Sequence, residues 1–329
     1  MGLLSATAPF LYKGSESMIE TVMSMELPVG EVLRIKKNRL APDQPTGREK
    51  RICIVSGIHG DEMGGQYICY ELIRRIKADF SGLKGVVDVY PALNPLGLDT
   101  YNRGFPTFDF DLNTIFPGSL EGGMIDMMAA RIVEDLEGAD LCLDVHANNM
   151  HVKEAPHVRV NDTVNEETMG YARDLNLHAV WVHPSNVVKE GSLAYALNQM
   201  GVNTLVIESG VRMETDHALC RKIVDGIFNV MKSLGIWEGK PESAGEMDIW
   251  VDDRVEFINC NSTGLFIPAV SLFSRVKKGE TIGVIAKPIL GAVIEEVKAP
   301  IDGMIFTLRR YPSVREGAMI ARIVGGCHG

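Results

Sequence analysis

The stretch Val55-Ser56-Gly57-Ile58-His59-Gly60-Asp61-Glu62 decides how the rest of the chain is read. The apolar run before it, Ile52 to Val55, has the character of a buried strand. Gly57 and Gly60 allow the backbone a tight turn where that strand ends. A helix is predicted to start near Glu62 and to carry Tyr67, Ile68, Leu72, Ile73 and Ile76 on one apolar face. His59 and Glu62 then sit at the carboxyl edge of a sheet, where open α/β sheets place their sites. An imidazole and a carboxylate on one tight turn can converge on one ion, and zinc accepts that pair of donors.

Two further apolar runs end the same way. Leu141 to Val145 ends at His146, and Val202 to Ile207 ends at Glu208. Three predicted strands thus deliver potential metal ligands or acid/base groups to one side of the pattern. Val86 to Tyr90 is a fourth short strand, leaving through Pro91-Ala92-Leu93-Asn94-Pro95 into a loop. The stretch Gly97 to Gly118 shows little periodicity but holds Arg103, Asp109, Asp111, Asn113 and several aromatic residues. Its length points to function and its aromatics point to order. Helices are predicted near 124–136, 165–176, 191–201 and 216–234, with further strands at 157–160 and 179–182. Residues 1–50 read as a leader with one strand over Leu27 to Ile35.

Around Gly239 to Glu246 the chain turns polar, and the domain boundary is placed there: a catalytic domain over 1–240 and a β-rich domain over 241–329. The second part holds short β-like runs at 264–267, 281–285, 292–297, 303–308 and 318–323, separated by turns such as Lys277-Lys278-Gly279-Glu280.

The bulk numbers bound the partners. The 329 residues are 46% hydrophobic and 23% charged, an ordinary globular composition. The net charge of −10 and the lack of a dense basic run exclude nucleic acid and anionic membrane as expected partners. No stretch approaches the roughly 20 apolar residues of a membrane-spanning helix, and no signal peptide is read. Six scattered cysteines without a Cys-x-x-Cys pair read as buried thiols of a reducing, cytoplasmic compartment.

His59-Gly60-Asp61-Glu62, the segment from Asn94-Pro95 through Arg103 to Asp111-Leu112-Asn113-Thr114, then Asp144-Val145-His146 and Ile207-Glu208 together resemble the succinylglutamate desuccinylase and aspartoacylase family, relatives of the zinc carboxypeptidases. The resemblance spans roughly residues 50 to 235. It implies a zinc-carboxypeptidase-like three-layer α/β/α domain with a mixed sheet, followed by a β domain near the mouth of the site. It implies one zinc ion per chain on His59, Glu62 and His146. Glu208 would be general base and then acid, Arg103 would stabilise the oxyanion, Asp111 would orient His59, and Asn113 would bind substrate. Asp144 shares a strand face with His146, as a residue behind the ligand or as a structural one.

Two positions depart from the family pattern. An arginine usually follows the Asp-Leu-Asn asparagine and clamps a substrate carboxylate; Thr114 stands there, and Arg159 and Arg212 are the candidate substitutes. Near the end, Val297 to Ile305 resembles half of a biotinyl- or lipoyl-carrier barrel sandwich, yet no lysine lies within Leu290-Gly291-Ala292-Val293 to carry the group. The expectation is a zinc-dependent amidohydrolase of a small N-acyl amino acid or amine, compatible with a homo-oligomer. A metallocarboxypeptidase for short peptides and a non-catalytic binding protein are the alternatives.

Overall fold

The structure is a computed structural model, and it describes residues 17–106, 110–147, 150–184, 190–239 and 247–326. The expected boundary segment 240–246, Asp109 of the long loop, and the first part of the leader lie outside those residues.

The chain opens with a hairpin, β1 (Ser17–Glu26) and β2 (Val32–Leu40). The expected single strand over Leu27 to Ile35 is therefore corrected. Its first half is the turn, where Gly30 takes a left-handed φ of 83° and donates its N–H to the Leu27 carbonyl. Only Val32 onward is extended, and the rest of the strand pairing lies upstream, in what reads as leader. β3 (Arg51–Val55), α1 (Gly64–Ala78), β4 (Val86–Tyr90) and a short α2 (Pro95–Thr100) follow. Then come α3 (Met124–Leu136), β5 (Leu141–His146), β6 (Val152–Asn161), α4 (Glu166–Asp174), β7 (Ala179–His183), α5 (Leu193–Gln199), β8 (Thr204–Gly210) and α6 (His217–Ser233).

β3, β5 and β8 are adjacent and parallel, with Val55 opposite Asp144 and His146 opposite Glu208. β4 extends the parallel set on one side, and the hairpin pairs antiparallel beyond it. β6 runs antiparallel to β8, so the sheet is mixed. The central strands are buried on both faces, as their continuous apolar character requires. Alternate residues serve opposite faces. Ile52, Ile54, Leu141, Leu143, Leu205 and Ile207 pack with α1, α4 and α6. Cys53, Val55, Tyr90 and Cys142 pack with α3 and α5. Helices on both faces of one sheet make three layers. A buried charge sits at the hairpin seam: Asp88 of β4 is met by Lys37, Arg39 and Arg51 at 3.5, 3.0 and 2.8 Å. Such a carboxylate is tolerable inside because it is paired.

Residues 247–326 are strands and turns. They form β9 (Asp248–Val251), β10 (Val255–Asn259), β11 (Gly264–Pro268), β12 (Arg275–Val276), β13 (Thr281–Lys287), β14 (Ala292–Lys298), β15 (Gly303–Arg309), β16 (Ser313–Val314) and β17 (Met319–Val324). β14, β13, β11 and β16 make a four-stranded sheet. It shares an apolar cluster with β10, β15 and β17, including Phe266, Ile282 and Ile285 from one side and Ile258, Ile305 and Ile320 from the other.

The second set of strands does not stand apart from the first. β15 pairs antiparallel with β6, Thr307 opposite Glu154, and β9 pairs parallel with β7, Trp181 opposite Trp250. Buried Glu154 accepts from the Thr307 hydroxyl at 2.8 Å and from the Arg322 guanidinium. One large sheet therefore runs through both parts of the chain.

Candidate active site

Two glycines shape the turn after β3 in different ways. Gly57 is left-handed (φ 66°), and a Cβ there would also meet the Pro91 carbonyl oxygen at 2.8 Å. Gly60 needs closeness, since its Cβ would lie 1.9 Å from the Gly97 carbonyl carbon. With the backbone so confined, His59 and Glu62 project together. His59 Nδ1 lies 2.8 Å from Glu62 Oε1. From the neighbouring strand end, His146 Nδ1 lies 3.1 Å from Glu62 Oε2 and 3.2 Å from His59 Nδ1. All three residues are buried.

Each imidazole is backed by a carboxylate. Asp111 Oδ1 is 3.0 Å from His59 Nε2, and Asp144 Oδ2 is 3.0 Å from His146 Nε2. The long loop delivers Asp111. Asn94 caps α2 by accepting from Gly97 N–H and holds the Gly104 carbonyl with its amide, while buried Phe105 bridges to Phe110. Arg103 from the same loop reaches Glu62 and Asp111, at 3.3 Å in each case. Asn113 lines the cavity, with its side-chain oxygen accepting from the Leu193 N–H at 2.9 Å.

The charges follow from this packing. Burial would raise the Glu62 pKa, but the two imidazoles hold it well below the usual carboxylate range. Burial also opposes a charged His146, yet the Asp144 and Glu62 carboxylates outweigh it and hold its pKa well above the ordinary value. Asp111 is likewise held down by His59 and Arg103 against the effect of burial.

The site opens into a cavity of about 950 Å³. Glu208 stands in its wall, largely buried, and accepts from Arg159 Nη1 at 3.1 Å. Arg212 also lines it and is tied to Asp61 Oδ2 at 2.7 Å. Thr114 donates its hydroxyl to the Asp111 carbonyl at 2.7 Å. Every residue singled out from the sequence as a ligand or catalytic candidate is thus brought to one place. The sequence reading missed the far wall: His157, Trp181, His183, Asp252, Phe257 and Arg322. Alternation along Ala179-Val180-Trp181-Val182-His183 could have put Trp181 and His183 on one face. No local pattern links Asp252, Phe257 or Arg322 to residues far upstream.

A buried pair of histidines with a glutamate, each imidazole backed by a carboxylate, at the carboxyl ends of parallel strands, is the constellation of metal-dependent hydrolases. The succinylglutamate desuccinylase/aspartoacylase catalytic domain matches residues 48–234, more than half of the chain, and the chain belongs to that family. It is 25% identical over 290 residues to an N-alpha-acetyl-L-2,4-diaminobutyric acid deacetylase of Halomonas elongata, covering 82% of this chain and 80% of that one. Among solved structures, a succinylglutamate desuccinylase/aspartoacylase of Rhodobacter sphaeroides superposes with a TM-score of 0.79 at 22% identity, covering 95% of this chain and 96% of the other. A product-bound ectoine utilization protein EutE (DoeB) of Ruegeria pomeroyi has a TM-score of 0.79 at 19% identity, with 94% and 95% covered. These two likenesses speak for the fold.

Proposed function

We propose that the protein is a zinc-dependent deacylase that hydrolyses the amide bond of a small N-acyl amino acid. The observation that carries this is the meeting of His59, Glu62 and His146. Both Nε2 atoms face carboxylates, which leaves both Nδ1 lone pairs directed at each other and at a third anionic donor. A cation between its members would satisfy such a cluster. A tetrahedral ion with bonds of about 2.0–2.1 Å sets its donors ~3.3 Å apart, and the separations of 2.8 to 3.2 Å fit one. Imidazole nitrogen with carboxylate oxygen is a donor set that zinc accepts. His59, Glu62 and His146 would hold it. When bound, zinc supplies Lewis acidity to the scissile carbonyl and to an attacking water.

The chain's own groups supply the rest. Asp111, hydrogen-bonded to His59 Nε2, fixes that tautomer and ring plane, and the Asp144 carboxylate favours positive charge beside His146. Glu208 takes the proton of the attacking water and returns it to the leaving nitrogen, without which the amine departs poorly. Arg103, held by Glu62 and Asp111, answers the negative charge that grows on the carbonyl oxygen. Arg159 is the better placed substitute for the arginine absent at Thr114, because its side chain is 46% exposed, whereas that of Arg212 is 16% exposed and tied to buried Asp61. Asn113 would contribute substrate contact through the amide nitrogen that its bond to Leu193 leaves over. The relative's acetylated diamino acid supports a substrate of that size. The two facing sheets at the end of the chain support the biotinyl/lipoyl-like shape, used without a carried group. Five buried free thiols suit a reducing, cytoplasmic setting.

The test is metal analysis with a hydrolysis screen over N-acetyl, N-succinyl and N-formyl amino acids. The expected result is one zinc per chain and a hydrolysed substrate, with kcat lowered about a thousandfold in Glu208→Gln. Metal-free protein that added zinc does not activate would refute the reading.

A further inference from the structure

The far wall of the cavity carries a chain of hydrogen bonds whose outer members, Asp252, Trp181 and His183, the deacylation chemistry above does not use. It begins outside the matched family segment, at Asp252 in the turn Asp252–Arg254 that follows β9. Asp252 Oδ1 accepts from Trp181 Nε1 at 2.7 Å and lies 3.0 Å from His183 Nδ1. The parallel pairing of β9 with β7, Val182 opposite Val251, puts Asp252 beside His183. A carboxylate on Nδ1 fixes the proton there, so Nε2 of His183 is left as an acceptor. Arg159 Nε donates to that Nε2 at 3.3 Å, and Arg159 Nη1 donates to Glu208 Oε1 at 3.1 Å. All five side chains line the one cavity.

We infer that Asp252 and His183 are positioning residues for Arg159, and that they set where an anionic group of the substrate is held beside Glu208. This rests on the deacylase reading of the site. The geometry argues for it in two ways. A guanidinium held at Nη1 alone can still swing about that bond, whereas a second bond at Nε fixes its plane. With both engaged, Nη2 is the edge left for a ligand, and Arg159 is 46% exposed, so a solute can reach it. A charge-assisted hydrogen bond from Nη2 suits a carboxylate and supplies the charge recognition that Thr114 cannot. The substrate class that follows is an N-acyl compound whose amine half carries a carboxylate near the scissile amide. Burial and Arg159 push the His183 pKa down to about 4, in keeping with a neutral ring that accepts from Arg159.

The experiment uses the full chain and a matched pair of probes, Nα-acetyl-L-2,4-diaminobutyrate and its decarboxylated counterpart, N-acetyl-1,3-diaminopropane. Arg159→Ala is expected to raise KM for the acid by about tenfold more than KM for the amine, whereas any loss through Glu208 should lower kcat on both probes alike. Asp252→Asn and His183→Gln should move KM for the acid in the same direction. The double variant Arg159→Ala/Asp252→Asn should be no worse than Arg159→Ala alone. Equal losses on both probes in Asp252→Asn, or additive losses in the double variant, would overturn the inference. A direct reading comes from imidazole ¹⁵N resonances of the unsubstituted protein. At pH 7 His183 should carry its proton on Nδ1, and Asp252→Asn should release it to Nε2. A wild-type proton on Nε2 overturns the relay even if neither probe is hydrolysed. An Nδ1 proton with no hydrolysis of any N-acyl compound would leave the relay standing and count against the deacylase reading alone.

Discussion

At the scale of single residues, the two carboxylates behind the imidazoles matter as much as the donors they serve. Asp144 is nearly fully buried and Asp111 a quarter exposed, so neither gains much by facing water. Replacing either by Asn should weaken zinc binding about 10- to 100-fold, measured by competition with a chromogenic chelator, with little change in secondary structure. His183 gives a pH signature. Its pKa falls from near 6.5 to about 4 on folding, through burial first and Arg159 second. Between those values the unfolded chain binds a proton that the folded chain refuses, so stability is lost as pH drops through that window. The Tm of His183→Gln should therefore fall less between pH 6.5 and 4 than that of the unsubstituted protein. The near wall was legible from residues alone, because His59, Glu62, His146 and Glu208 each stand at the end of an apolar run. Asp252 and His183 were not, since a lone Asp after a weak strand has no spacing that ties it to an arginine on β6.

At the scale of elements, α1 is seated by a contact that propensity would not foretell. Gly65 lies against the strand exit, and a Cβ there would fall 1.9 Å from Ser56 Oγ and 2.9 Å from Ser56 Cβ. Gly65→Ala should cost about 1–3 kcal/mol of stability in denaturant titrations, and should lower metal occupancy by shifting Glu62. The buried strands also carry thiols. Burial pushes Cys53 up to about 12, as it does Cys69 on α1, and holds Cys142 well above its ordinary value. A thiol reagent at pH 8 should leave these three unlabelled in the folded protein and modify them on unfolding. Strands with continuous apolar runs were read from the sequence within one residue at β3, β4 and β5 and within three at β8. The opening hairpin was read only in part: Leu33 and Ile35 alternate with exposed neighbours on β2, but the strand was placed across the turn, and the pairing of β1 with β2 depends on register that the local pattern does not encode.

At the scale of the whole molecule, the strands after residue 247 are part of the architecture of the site. Trp181 meets Phe306 edge-on and Trp250 meets it at a tilt, in an apolar cluster drawn from both parts of the chain. Arg310 pairs with Glu214, and Arg322 with Glu154, across the same seam. Ending the chain at residue 239 would bare the edges of β6 and β7 and uncover that cluster. Such a truncation should be recovered mostly as aggregate, and any soluble fraction should bind an apolar dye. The composition of the sequence marks where strands replace helices, but pairing between β6 and β15 depends on register across a long separation, which no local pattern encodes.

That long separation has a consequence for how the protein comes into being. Glu154 and Arg322 are 168 positions apart, and Glu154 and Thr307 are 153 apart. A chain emerging from the ribosome exposes β6 and β7 well before their last partners exist. The far wall of the cavity is therefore assembled only after Arg322 has emerged, and folding of the whole should be slow for its size, since distant pairings must be found before they reward the search. Nascent chains stalled short of β15 would hold the three donors of the metal cluster without a closed chamber around them.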